Sequence, residues 1–369
     1  MRLFQLEHFD PSMSNRQTPL PTRRGMLFAA IAAASKLHAA GPVYPTHNDL
    51  LYYLTTSGER RPVRNRHDFE IRRRHILAGM QEVMGPLPPP IGTKPRIQSA
   101  TDIDEGPYLR RHIRFDTDPG DLVPAWLLLP KQPNGAAVLC LHQTTKIGKD
   151  EPAGLGGKPN LHYARELAQR GFVTFAPDYP NFGEYQFDPY ANGYASATMK
   201  GIVNHRRAVD VLASLPQVKR NRIGVCGHSL GGHNSLFLAA FDPRIRAVVT
   251  SCGFTAFPKY YGGNLTGWSH KGYMPRIADR YEKSPARMPF DFPEILGAIA
   301  PRAIFINAPT RDANFEVSGV DDCVNAARPI FEKIYQRPGV LVTEHPEADH
   351  DFPQEVRERA YRFLEGQLR

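Results

Sequence analysis

Residues 223–232 read Ile223-Gly224-Val225-Cys226-Gly227-His228-Ser229-Leu230-Gly231-Gly232, and a helix-like stretch follows from Asn234 to Phe241. Apolar strand, sharp Gly-x-Ser-x-Gly turn and helix together make a nucleophile elbow. The serine of such a turn sits at a strained backbone position, and a Cβ on either flanking residue would strike the adjacent strand or helix, so the flanks are glycines. Ser229 is thereby presented at the top of a sheet. A serine hydroxyl is a weak nucleophile alone, so the elbow requires a base and an orienting acid further along the chain.

Candidates for both follow. Apolar strands are expected at 247–251 and 303–306, and Asp312 lies on the loop beyond the second. Asp321 and Asp322 compete for the acid's role but fall nearer the start of the next helix. A strand at 340–343 leads into Glu344-His345-Pro346-Glu347-Ala348-Asp349-His350-Asp351-Phe352-Pro353, which places His350 on the loop before the closing helix; His345 stands closer to the strand. Ser229, Asp312 and His350 then occur in one of the three chain orders known for the Ser-His-Asp triad. The expected chemistry is acyl transfer, with His350 as base, Asp312 orienting its ring and water releasing the acyl group. The oxyanion needs two amide donors, expected from Leu230, at the positive end of a helix, and from Gln143 or Thr144 on the loop after the strand 136–141. His142 is read as a packed residue bracing that loop.

Composition is that of an ordinary globular chain: 369 residues, 41% apolar and 22% charged. The net charge is +9, of which the first 39 residues supply five basic and two acidic side chains, leaving +6 for the remainder. Seven arginines between Arg60 and Arg74 are interleaved with acidic and apolar residues, which favours a solvated helix packed on the main domain over a nucleic-acid patch. Cys140, Cys226, Cys252 and Cys323 lack metal-ligand spacing and read as buried thiols, with Cys226 pointing into the sheet. The fourteen histidines include no His-Glu-x-x-His pair, so neither a metal nor another cofactor is expected.

Residues 1–39 carry Thr22-Arg23-Arg24-Gly25-Met26-Leu27, an alanine-rich apolar core, Lys36 and a small-residue stretch ending at Ala39-Ala40. Paired arginines before a short, weakly hydrophobic core resemble a twin-arginine export signal, with periplasmic or secreted protein as the expectation and a cytoplasmic enzyme with an N-terminal extension as the alternative. The core is too short to anchor the mature chain in a bilayer. Residues 40–100 are expected to form a helical extension with two helices, the clearer at 68–84, and 101–369 the main domain. There, two antiparallel-type strands precede alternating strands and helices, which implies an α/β fold with a mostly parallel central sheet and helices on both faces. Phe254 to Ile299 is an aromatic-rich insertion, expected to act as a lid in which Trp268 and Tyr273 offer ring faces to substrate; the alternative is a satellite core with both rings packed inward.

With these residues placed, the chain from about Tyr108 to its end resembles the α/β-hydrolase superfamily, and more narrowly the bacterial branch of acetyl xylan esterase-like, dienelactone hydrolase-like and prolyl oligopeptidase-like serine hydrolases. The elbow carries the resemblance, as do Ala308-Pro309-Thr310-Arg311-Asp312-Ala313-Asn314-Phe315, His350-Asp351-Phe352-Pro353 and Ala176-Pro177-Asp178-Tyr179-Pro180. Two departures stand out. Dienelactone hydrolases use cysteine where this chain has Ser229, and the oxyanion loop reads His142-Gln143-Thr144 where many relatives have His-Gly. The resemblance implies a serine esterase acting on a small-molecule or saccharide ester, including acylated carbohydrate. A prolyl oligopeptidase-like peptidase, weakened by the lack of room for a propeller, and a non-catalytic binding protein are the other classes.

Overall fold

The computed structural model describes residues 41–369; the export signal expected at 1–39 lies outside them. The extension contains one long helix where two were expected. A short hairpin, β1 (Tyr52–Leu54) with β2 (Arg60–Pro62), takes the place of the first and is followed by α1 (Arg66–Met84). Asn65 caps α1 by accepting from the Asp68 amide, and Gly85 ends it at φ 100°, a backbone conformation that glycine adopts without strain.

The arginine-rich sequence of α1 corrects the expectation of a solvated face. Arg72 is fully buried, with Nη2 2.5 Å from Glu294 and its guanidinium carbon 3.1 Å above the Tyr44 ring centre. Glu294 also takes a 2.7 Å contact from His47 Nδ1, so the extension is clamped to the main domain through one buried carboxylate.

A ten-stranded sheet forms the centre. Its strands are β3 (Ile97–Ser99), β4 (Ile103–Asp104), β5 (Tyr108–Asp116), β6 (Leu122–Pro130), β7 (Ala137–Leu141), β8 (Val173–Pro177), β9 (Ile223–His228), β10 (Ile245–Ser251), β11 (Ala303–Asn307) and β12 (Leu341–Glu344). They lie in the order β12-β11-β10-β9-β7-β8-β6-β5-β3, with β4 paired to β5. Pairings from β8 through β12 are parallel and those among β3, β4, β5, β6 and β8 antiparallel. The central strands β7, β8, β9 and β11 are buried at every residue, as uninterrupted apolar runs between two helical layers must be.

The crossover helices are α2 (Tyr163–Gln169), α3 (Ala197–Ser214) and α4 (Leu230–Phe241); α5 (Arg276–Asp279) and α6 (Phe292–Ile299) belong to the insertion; α7 (Val317–Pro329) and α8 (Gln354–Gln367) follow. Helix α4 begins at Leu230, four residues before its expected start, because the turn passes directly into the helix. Among the described residues no helix is long and apolar enough to cross a membrane. Parallel strands joined by right-handed crossovers deliver the ends of β7, β9, β11 and β12 to one edge of the sheet.

Candidate active site

Ser229 takes φ 53° and ψ −116°, the strained geometry that the turn demands. A Cβ at Gly227 would meet the Gly231 carbonyl, one at Gly231 would meet the Leu141 carbonyl, and one at Gly232 would press on Gly253. The glycine spacing is therefore a packing requirement between β9, α4 and their neighbours. The Ser229 amide donates to the Ser251 carbonyl at 2.8 Å, tying the turn to β10.

Past β11, Asp312 accepts from the amides of Asn314 at 2.8 Å and Phe315 at 3.2 Å, and both of its oxygens lie 2.9 Å from His350 Nδ1. Burial pushes the Asp312 pKa up, but the His350 hydrogen bond and charge and the Asn314 amide outweigh it, so the carboxyl stays below its usual range. The competing residues are engaged elsewhere. Asp321 lies 3.0 Å from His345 Nε2, Asp322 pairs with Lys259 at 2.7 Å, and His345 Nδ1 faces the Ala308 carbonyl at 2.9 Å.

Ser229 and His350 line one cavity of about 260 Å³. Gln143 and Thr144 line it as well, on the loop after β7. His142 braces that loop: its Nδ1 donates to the Gln143 carbonyl at 2.6 Å, its Nε2 accepts from the Tyr179 amide at 3.0 Å, and burial lowers its pKa to about 4. Gln143 Nε2 donates to Glu151 at 3.0 Å, and Thr144 Oγ1 shares a 2.9 Å hydrogen bond with the Tyr273 hydroxyl. Leu230 opens α4 directly beyond the serine.

The insertion supplies the opposite wall. Tyr260, Trp268 and Tyr273 line the cavity, yet Trp268 is only 3% exposed, packed among Phe257, Phe292, Phe315 and His233. It presents no open ring face, so the two readings of the insertion merge: its aromatic residues are core on one side and cavity wall on the other. Among the described residues the indole Nε1 has no hydrogen-bond partner.

His233 is the residue that motif reading missed. It lies one turn beyond Ser229 on α4, lines the cavity and is 3% exposed; among the described residues it hydrogen-bonds to no side chain, and one ring nitrogen faces the Gly253 main chain. Burial lowers its pKa to about 3, so the ring is neutral. The i, i+4 relation to Ser229 was the available signal, since it puts both residues on one side of the helix start. Asn314 and Phe315, on the loop that bears Asp312, also join the wall.

All four cysteines are free and buried. Among the described residues His228, Cys252 and His350 bring donor atoms within 4.8 Å of one another. Burial raises the Cys252 thiol pKa well above its usual range, disfavouring the thiolate that a metal needs, and His350 Nδ1 already faces Asp312.

A family model described as "Glucuronyl esterase, fungi" matches residues 185–334. The 2,6-dihydropseudooxynicotine hydrolase of Paenarthrobacter nicotinovorans is 26% identical over 159 residues, covering 43% of this chain and 38% of that protein. Three of the curated relatives are spanned over little more than a third of their length, between 34% and 38%. Among solved structures, a glucuronoyl esterase from Solibacter usitatus superposes with a TM-score of 0.69 at 18% identity, over 89% of this chain and 99% of that one. An acetyl xylan esterase from Paenibacillus sp. R4 gives 0.55 at 18%, over 90% and 99%. Sheet order, elbow and these superpositions agree: the chain is an α/β-hydrolase-fold protein, similar to carbohydrate esterases.

Proposed function

We propose that this protein is a serine hydrolase that cleaves carboxylic esters of carbohydrates through Ser229, His350 and Asp312. One observation carries the reading: Ser229, held at a strained turn, and His350, hydrogen-bonded to Asp312, line the same cavity. His350 Nε2 takes the Ser229 proton as the hydroxyl attacks the ester carbon, Asp312 stabilises the imidazolium, and the alcohol leaves with that proton. Water then attacks the acyl-enzyme with His350 again as base. The oxyanion is held by the Leu230 amide and that of Gln143 or Thr144.

The cavity supports a neutral, hydroxylated substrate. Among the described residues no lysine, arginine or carboxylate lines it, while the Trp268 indole N–H and the His233 ring nitrogen turned away from the Gly253 main chain have no hydrogen-bond partner. The remaining imidazole nitrogen offers an acceptor and the indole N–H a donor, which together match a hydroxyl group. Sugar hydroxyls beside an ester meet that description, in an acetylated xylan or an esterified uronate. The paired arginines at Arg23 and Arg24 support export, where such polymers are met.

The test compares hydrolysis of a methyl glucuronate ester, an acetylated xylo-oligosaccharide, a short chromogenic ester and an aminoacyl-anilide. Turnover of the esters with little on the anilide is expected. Preference for the anilide would replace the esterase reading by a peptidase, and turnover of none of them by a binding protein.

A further inference from the structure

The arginine run of α1 takes no part in the Ser229 cavity, but one of its members helps to build another. At the opposite edge of the sheet, where β10 and β11 begin, Arg73, Arg246, Arg302 and Arg337 line a cavity of about 480 Å³ with Glu70 and Tyr335. The four arginines come from α1, the start of β10, the residue before β11 and the turn before β12.

Two of the guanidinium groups are held in place by main-chain carbonyls. Arg302 donates through Nε to Ile299 at 3.0 Å and through Nη1 to Asp242 at 2.9 Å and Ile245 at 3.2 Å. Arg73 donates to Ala298 at 2.8 Å and Ala240 at 3.4 Å. Their charge is poorly compensated. Glu70, the one carboxylate in the wall among the described residues, lies 3.4 Å from Arg73 and already accepts from the Tyr335 hydroxyl at 2.9 Å. Among the described residues no carboxylate comes within 4.0 Å of a nitrogen of Arg246, Arg302 or Arg337. Burial and the charge of Arg73, with that of Arg246, lower the Arg302 pKa to about 10 against the opposing charge of Asp242. Guanidinium groups gathered around one walled space, two of them held in place, focus a positive field, and their planar forks match oxyanions.

We propose that this cavity binds a small anion carrying two or more phosphate or carboxylate groups, at a site separate from the Ser229 cavity. A single halide would leave most of the space unfilled and could neutralise only one of the excess charges, whereas a multivalent oxyanion engages several arginines together.

The experiment titrates the full chain with tripolyphosphate and, separately, with citrate, by calorimetry and thermal melting, against sodium chloride of equal ionic strength. Arg246→Ser/Arg337→Ser removes two exposed members of the site. Arg61→Ser/Arg64→Ser removes the same charge from the exposed hairpin region of the extension and serves as control. Saturable one-to-one binding and a raised melting temperature are expected for the unaltered chain, weakened about tenfold or more in the Arg246/Arg337 variant and unchanged in the control. Binding of tripolyphosphate alone identifies a phosphate ligand and of citrate alone a carboxylate ligand; either supports the site. No saturable binding of either beyond the salt control, or equal weakening in both variants, overturns it.

Discussion

His350 Nδ1 lies 2.9 Å from each carboxylate oxygen of Asp312, while Asp321, nine residues on, faces His345. Asp312→Asn keeps the shape but loses the charge that stabilises an imidazolium, so kcat should fall on the order of 10³-fold or more. Asp321→Asn should leave kcat within about twofold. Steady-state kinetics on a short chromogenic ester checks both, and the reverse ranking would move the acid to Asp321.

Ser229→Ala should abolish ester turnover, again on the order of 10³-fold or more, with an unchanged melting temperature or a slight rise, because the strained residue carries no packing. Near-normal turnover in this variant would remove the nucleophile from the mechanism.

His233→Phe retains a ring against Trp268 but removes both nitrogens. If His233 receives a substrate hydroxyl, KM on a saccharide ester should rise about tenfold or more, with little change on a chromogenic ester too small to reach it. Equal losses on both substrates would show that His233 only packs.

Arg72→Ala would leave Glu294 buried without its principal cation and the Tyr44 ring without its partner. Breaking a buried pair from one side costs about 3–5 kcal/mol, measurable by urea denaturation. A loss below about 1 kcal/mol would mean that His47 alone satisfies Glu294.

His205 is buried in α3, and burial together with the charge of His142 lowers its pKa from 6.5 to about 3. The unfolded chain binds this proton below about pH 6.5 and the native chain does not until about pH 3, so His205 weighs against the native state increasingly as pH falls. His205→Leu should therefore gain stability relative to the unaltered chain on going from pH 7 to 4, by at most about 1.4 kcal/mol per pH unit below 6.5. Asp178 and Asp291, raised mainly by burial to about 6 and about 7, work in the opposite direction. They act alike in both chains and cancel in the difference. A stability difference that is flat with pH would place the His205 proton elsewhere.

The elbow, the order of strands and helices and the loops bearing Asp312 and His350 were legible because each rests on local chemistry: glycines where a Cβ would collide, and apolar runs at strand spacing. The α/β architecture follows from these local patterns, and so does the edge of the sheet on which Ser229, Asp312, His350 and Gln143 gather. Tertiary structure alone decided what depends on contacts between distant segments. Asp312 was separated from Asp321 by which histidine each meets, 38 residues away for Asp312. The first of the two helices expected in the extension is a hairpin instead, because runs as short as Tyr52–Leu54 and Arg60–Pro62 carry too little periodicity to reveal a strand. Arg72 sits in the core and Arg73 at a cavity, although both read as members of one solvated run; a charge is buried or free according to whether a partner such as Glu294, 222 residues on, folds against it. Trp268 and His233 likewise became one wall of the cavity only when the insertion closed over α4, a packing event for which no local pattern codes.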